Sequence, residues 1–198
     1  METEKLTKFF SEILMLKRVK HSGVAIAGVD NPDSVAEHSL AAAQIAYILG
    51  FLEGADPEKC AVICLFHDNN ETRIGDHNKV SARYLETENA ERKAEMEHFS
   101  LLPDELSQKI LFLLNEKYNR NTKEGIIAQD ADWLEVAIQA KVYVETGHKG
   151  CESWIKNVEE ALETDSAKNI LKEIIANPDF TNSWWQGLKK MTYEKLKK

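Results

Sequence analysis

Phe66-His67-Asp68-Asn69-Asn70-Glu71 is the stretch on which the reading of this chain turns. Leu65 and Phe66 continue an apolar helix face, and three ionisable groups arrive together at its end. Burying an imidazole and two carboxylates among apolar residues is costly unless they are paired or bound to a metal. His67 and Glu71 stand at i and i+4, and Asp68 and Glu71 at i and i+3, so all three can face one cavity. His67 and Asp68 are adjacent and diverge around the axis; both reach one ion only if it sits between their directions. Taken alone, the pair also reads as a plain solvated helix end, as short motif matches often do.

Working outward, the flanking segments read as successive helices. A stripe of Leu6, Phe9, Phe10, Ile13, Leu14 and Leu16 predicts a helix from Glu4 to about Val19. Residues 21–33, with Gly23, Gly28, Asn31 and Pro32, read as a loop. Ser34-Val35-Ala36-Glu37 has the form of a capping box and opens an alanine-rich helix from Val35 to about Leu52. Asp56-Pro57-Glu58 is a second start signal, for a helix through Cys60, Ile63, Cys64 and Phe66 to about Thr72. Gly75 to Asn78 reads as a loop, and charged helices follow around Ala82 to Phe99. Pro103-Asp104-Glu105 starts a helix whose inner face is Leu106, Ile110, Leu113 and Leu114. The longest pattern runs from Thr122 to about Thr146, and two or three more helices follow, broken at Gly150 and Asn177-Pro178. No segment alternates like a strand, so the fold class is all-α. The 198 residues suit one domain over 1–198, with the motif-bearing part at about 5–145 and C-terminal helices at about 150–198.

Two further positions stand out. His38 falls in the first turn of the alanine-rich helix, and Asp132 lies mid-helix in Gln129-Asp130-Ala131-Asp132-Trp133-Leu134-Glu135. Aspartate is a poor interior helix former and needs a reason there. The neighbouring Asp130 and Glu135 read equally as surface carboxylates. Net charge is -8, which repels a polyanionic backbone, so no DNA or RNA polymer is expected as partner. A small phosphorylated ligand is still compatible, because a metal or local basic groups reverse the field inside a pocket. We find no apolar run long enough to span a bilayer and no signal-peptide order at the N-terminus. The three cysteines form no disulfide pattern. A cytoplasmic location without membrane contact is therefore expected.

The order His…His-Asp…Asp across helices resembles the HD-domain phosphohydrolase superfamily, and more closely its 5′-deoxynucleotidase branch. The blocks that carry the likeness are Leu16-Lys17-Arg18-Val19, Asp33-Ser34-Val35-Ala36-Glu37-His38-Ser39, His67-Asp68-Asn69-Asn70-Glu71 with Gly75-Asp76, and Ala131-Asp132-Trp133-Leu134-Glu135, in that order over roughly residues 5–145. The resemblance implies an HD-type helical bundle with a central metal site. It implies His38, His67, Asp68 and Asp132 as ligands of one divalent transition metal ion. Two imidazoles and two carboxylates suit Mn, Co, Zn, Fe or Ni rather than Ca. It further implies a homodimer and a nucleotide substrate, a (deoxy)nucleoside 5′-monophosphate cleaved to nucleoside and phosphate. The alternatives are an HD phosphohydrolase acting on nucleoside triphosphates or on cyclic or signalling nucleotides, and a catalytically silent nucleotide-binding or scaffold protein.

In the same likeness Glu71 is the acid that orients or deprotonates water or protonates the leaving oxygen, or else a partner for the ring of His67. Asp76 stands for a residue near the reacting water and the substrate sugar. Lys79 reads as a phosphate contact or a solvated lysine. Arg18 and Lys20 are candidate phosphate clamps. Here the chain departs from the branch, with His21 and Val24 where an Arg and a Trp are expected; His21 or Lys20 then takes the positive role.

Other signals compete. Cys60, Cys64 and His67 share a helix face, but read better as core thiols than as a zinc site. His77, His98 and His148 read as surface groups. Trp184-Trp185 is expected to dock the last helix on the core or on a partner copy, and Glu194 to Lys198 to be a frayed end.

Overall fold

A computed structural model describes residues 2–186; the segment Glu194 to Lys198 lies outside the described residues. Among those residues there is no strand, and a lone bridge joins Lys20 to Ser34. The helices are α1 (Glu2–Ile13), α2 (Ser22–Ile26), α3 (Val35–Leu52), α4 (Pro57–Phe66), α5 (Glu71–Ile74), α6 (Thr87–Phe99), α7 (Asp104–Asn119), α8 (Lys123–Glu145), α9 (Glu152–Ala161), α10 (Asp165–Ala176) and α11 (Phe180–Ser183). The all-α expectation is borne out.

Start signals do what their chemistry dictates. Ser34 accepts from the backbone N–H of Glu37, and Glu37 reaches back to the N–H of Ser34 at 2.6 Å, closing the capping box of α3. That fixes the first turn, and with it the direction of His38. Asp56 caps α4 ahead of Pro57, and Thr122 caps α8. α3 and α4 pack together and both lean on α8, which also carries α7, α9 and α10. The core between them is built from small residues at the crossings: Ala42 and Ala46 of α3, and Ala128, Ala131 and Ala137 of α8, are fully buried. Small side chains let the helix axes approach, so groups projecting from α3, α4 and α8 meet. Gly125 does the same at the α7–α8 corner, where a Cβ would collide with the carbonyl of Glu116.

Several expectations need correction. α4 stops at Phe66, not near Thr72. The chain instead tightens through i to i+3 hydrogen bonds, including Glu71 N to Asp68 O at 3.0 Å, and restarts as α5. The loop at 21–33 contains the short α2. α3 is 18 residues long with a mean hydropathy of 1.3, long and apolar enough to cross a bilayer, contrary to our reading of the sequence; it is 44% buried against its neighbours, as a core helix is. Asp130 is fully buried rather than a surface group: its carboxylate accepts from the backbone N–H groups of Glu163 and Thr164 and from the Thr164 hydroxyl, holding the start of α10. Trp184 and Trp185 are 75% and 51% exposed, so they do not dock on the core of this chain.

His98 is also misplaced by the sequence reading. It is fully buried, its ring 4.5 Å from Phe9 and 5.7 Å from Phe99 in stacked arrangements, and neither ring nitrogen has a hydrogen-bond partner. Burial lowers its pKa below 6.5 despite the nearby Glu12 carboxylate. A histidine with a depressed folded pKa binds its proton more readily unfolded. Its ionisation therefore adds no cost above about pH 6.5 and destabilises as pH falls below that value, on top of the pH-independent cost of its unpartnered nitrogens. His98→Phe removes two unsatisfied buried nitrogens and should raise Tm by about 2–5 °C at pH 7, with a larger gain at pH 5. Calorimetric Tm against pH checks this; an identical slope in the two proteins would count against it.

Candidate functional site

α3, the end of α4 and the middle of α8 bring four side chains from distant parts of the chain to one point. His38 Nε2 lies 3.3 Å from His67 Nε2, 3.3 Å from Asp132 Oδ1 and 3.6 Å from Asp68 Oδ2. His67 Nε2 lies 3.1 Å from Asp68 Oδ2 and 3.6 Å from Asp132 Oδ1. Both imidazoles are buried. Each has its other nitrogen committed: His38 Nδ1 donates to Glu135 Oε2 at 2.5 Å, and His67 Nδ1 donates to the carbonyl of Cys64 at 2.7 Å. With Nδ1 protonated, both Nε2 atoms turn lone pairs toward the same point. Two lone pairs and two carboxylate oxygens face to face repel unless a proton or a metal cation lies between them.

The donor set fits a metal. Ligand bonds of about 2.0–2.2 Å place neighbouring donors about 3.3–3.6 Å apart around a tetrahedral ion and about 2.8–3.1 Å apart around an octahedral one. Four of the five separations above match the first span and the fifth, His67 Nε2 to Asp68 Oδ2 at 3.1 Å, the second. His38, His67 and Asp132 thus form a possible metal site, with Asp68 alongside both rings.

Groups behind the donors fix their charge. Burial opposes ionisation of Asp132, yet Lys117 and the two imidazoles hold its carboxyl well below the usual carboxylate range. Burial likewise disfavours a charged His38, but Asp132 and Glu135 push its pKa well above 6.5. Lys117 donates to Asp132 Oδ2 at 2.8 Å and Gln129 Nε2 to the same oxygen at 3.2 Å.

The centre opens into a cavity of about 530 Å³. Glu71 and Asp76 line it beside His38, Asp68 and Asp132. Glu71 Oε2 is buried and has no partner; burial first, then Asp68 and Asp76, raise its pKa to about 10. Asp76 Oδ2 accepts from the backbone N–H and the hydroxyl of Ser22, at 2.5 and 2.9 Å, and so ties the α2 turn to the site. His21 lines the cavity, its ring edge-on to His38 with centroids 5.0 Å apart. Its Nδ1 donates to Asp33 Oδ2 at 2.8 Å, and the Tyr143 hydroxyl donates to Asp33 Oδ1 at 2.7 Å. Burial depresses His21, but the Asp33 bond outweighs it and raises its pKa. Lys79 also lines the cavity, whereas Arg18 and Lys20 are exposed and lie outside its lining. His77, read as a surface group, lines it too and is half-buried. The lining also includes the apolar side chains of Val24, Trp133, Val136 and Trp154.

Sequence reasoning missed Glu135, Lys117 and Gln129. Glu135 is no surface carboxylate; it is buried on His38, and its i to i+3 spacing from Asp132 was the available signal. Lys117 continues the buried stripe Ile110, Leu113, Leu114 of α7, a position where a lysine needs a partner. Gln129 precedes Asp132 by three residues and carried no other signal. The cysteines belong to the core: Cys64 Sγ donates to the carbonyl of Ala128, and burial pushes the Cys60 thiol up to about 12.

A profile of the HD domain matches residues 13–175. The 5′-deoxynucleotidase HDDC2 of Xenopus laevis is 30% identical over 141 residues, 71% of this chain and 70% of that protein. Its namesake in Dictyostelium discoideum is 29% identical over 152 residues, 72% of this chain and 79% of that protein. Among solved structures, a conserved hypothetical protein from Pyrococcus furiosus is similar with a TM-score of 0.73 at 29% identity, covering 86% of this chain and 99% of that one. The chain belongs to the HD-domain phosphohydrolase family, and the relatives it aligns with are named 5′-deoxynucleotidases.

Proposed function

We propose that this protein is a metal-dependent phosphomonoesterase that hydrolyses (deoxy)nucleoside 5′-monophosphates to nucleoside and phosphate. The observation that carries the reading is the convergence of two imidazole lone pairs and two carboxylates on one point at the floor of a cavity. The substrate class is supported by the names of the relatives and by the cavity lining, which includes Trp133 and Trp154 as well as the polar cluster and so offers apolar area to a nucleobase.

In this reading His38, His67, Asp68 and Asp132 hold one divalent cation. When bound, that ion supplies Lewis-acid polarisation of the phosphate and an acidified water. Two protein groups place the phosphate. His21, held on Asp33 and favoured in its protonated form, offers its free nitrogen to a phosphate oxygen, in the place where the branch usually has an arginine. Lys79 at the cavity rim adds a mobile positive charge. Asp76 anchors the α2 turn through Ser22, so that His21 keeps its direction. Glu71, protonated in the environment described, donates its proton to the sugar oxygen as the bond from that oxygen to phosphorus breaks.

The test is chain stripped of metal, reloaded in turn with Mn, Co or Zn, and assayed for phosphate release from nucleoside mono- and triphosphates and cyclic nucleotides. Monophosphates should release inorganic phosphate with at least one metal, and the stripped protein should release none. Pyrophosphate or triphosphate as the product would replace the reading with another HD phosphohydrolase. Tight nucleotide binding without turnover under any metal would replace it with a silent binding protein.

A further inference from the structure

We propose that Lys117 is a permanent countercharge behind the metal centre, holding Asp132 to coordination through one oxygen and weakening the grip of the site on its cation. The inference rests on the metal-site reading above and concerns a residue that takes no part in it as a ligand.

The two oxygens of Asp132 have separate assignments. Oδ1 faces His38 Nε2 at 3.3 Å and His67 Nε2 at 3.6 Å. Oδ2 points the other way and accepts from Lys117 Nζ at 2.8 Å and from Gln129 Nε2 at 3.2 Å. A carboxylate with one oxygen taken by an ammonium cannot swing to offer both to an ion. The Lys117 side chain is only 8% exposed. It sits on the apolar stripe of α7 beside Leu113 and Leu114, where packing alone would be met by methionine or leucine. Asp132 is its only ion-pair partner among the described residues.

Charge accounts for its presence. Two carboxylates and a divalent ion cancel, and the Glu135 carboxylate on His38 Nδ1 leaves the centre negative. That negative charge offsets part of the attraction that His21 and Lys79 at the cavity offer an arriving phosphate dianion. One ammonium within a few ångströms restores neutrality, and it repels the cation at the same time. A lysine that only braced Asp132 has the opposite signature, since removing a brace misplaces a ligand and weakens metal binding. The sign of the change in metal affinity therefore separates the two roles.

The experiment is titration of metal-stripped full-length chain with Mn and with Zn in competition with a chelating dye, followed by binding of inorganic phosphate to the loaded protein. Lys117→Met is expected to bind Mn at least about tenfold tighter and to bind inorganic phosphate more weakly, with Lys117→Arg close to wild type in both. Unchanged or weaker metal binding by Lys117→Met would overturn the inference. Should that variant not fold, Lys117→Gln keeps a donor for Oδ2 without the charge, and the same tightening or its absence decides. A wild-type chain that takes up no cation in the first titration would sink the metal-site reading itself, a result distinct from wild-type uptake that Lys117 fails to modulate.

Discussion

Asp68→Ala is expected to abolish metal uptake. The carboxylate sits 3.1 Å from His67 Nε2 and 3.6 Å from His38 Nε2; without it the remaining donors are two imidazoles and one aspartate already shared with Lys117. Bound metal should fall from about one ion per chain to under a tenth, and phosphate release should drop by about 10³-fold or more, since the ion supplies both polarisation and the nucleophile. Side-chain loss at this position should leave the fold intact, because Asp68 is partly exposed on the cavity side. Stability reports the same event independently. A cation that binds only the folded chain stabilises it by about 4 kcal/mol when present at a thousand times its Kd. Chelation should therefore lower the Tm of the wild type by several degrees, reversibly, and leave that of the variant unmoved. Metal analysis of the purified proteins is decisive: unchanged content in Asp68→Ala would remove the site assignment.

How much of this was legible before the structure follows from where the information resides. The capping box at Ser34 and the Asp56-Pro57 start are local rules, and both helices begin where those residues say. Ile110, Leu113 and Leu114 of the α7 stripe and the length of α8 were equally readable, because periodicity is a local property of a helix, although Leu106, read into the same inner face, is exposed. The convergence of His38, His67, Asp68 and Asp132 is not local. Spacing alone left each open to a surface explanation, and the ordered likeness to a known family is what joined them. Failures came where long-range burial overrides local character. Asp130 and Glu135 flank Asp132 and look alike in sequence, yet one holds the residues just ahead of α10 and the other orients His38. His98 looks like part of a charged helix, and only the packing of α1 on α6 buries it beside Phe9. Lys117 could have been flagged on its apolar stripe, but its partner lies on another helix. The break of α4 at Phe66 is a switch to i to i+3 backbone hydrogen bonds, which periodicity does not record. It matters for function, because the turn it creates, rather than a continuous helix face, presents Asp68 and Glu71 to the same cavity.

Glu71→Gln should separate binding from chemistry. The carboxyl lines the cavity beside Asp68 and Asp76, and one of its oxygens is buried with no partner, so nothing in the fold depends on its hydrogen bonds. Burial and the two neighbouring carboxylates raise its pKa to about 10, which keeps it protonated through neutral pH. A bound cation beside Asp68 offsets part of that repulsion and moves the value down. The sign is unaffected: an acid that must donate works below its pKa, so activity falls as pH rises through it, and the variant should lose that alkaline limb. Glutamine keeps the shape and a hydrogen bond but has no proton to transfer. We expect kcat for a nucleoside monophosphate to fall by about 10²–10⁴, the range for loss of a positioned acid, with metal content and KM within a few-fold of wild type. The leaving group sharpens the test. A sugar alkoxide needs a proton as it departs, whereas p-nitrophenolate does not. The deficit of Glu71→Gln should therefore shrink by at least about tenfold on p-nitrophenyl phosphate. An equal deficit on both esters would assign Glu71 to the attacking water instead, because activation of that water is common to the two reactions.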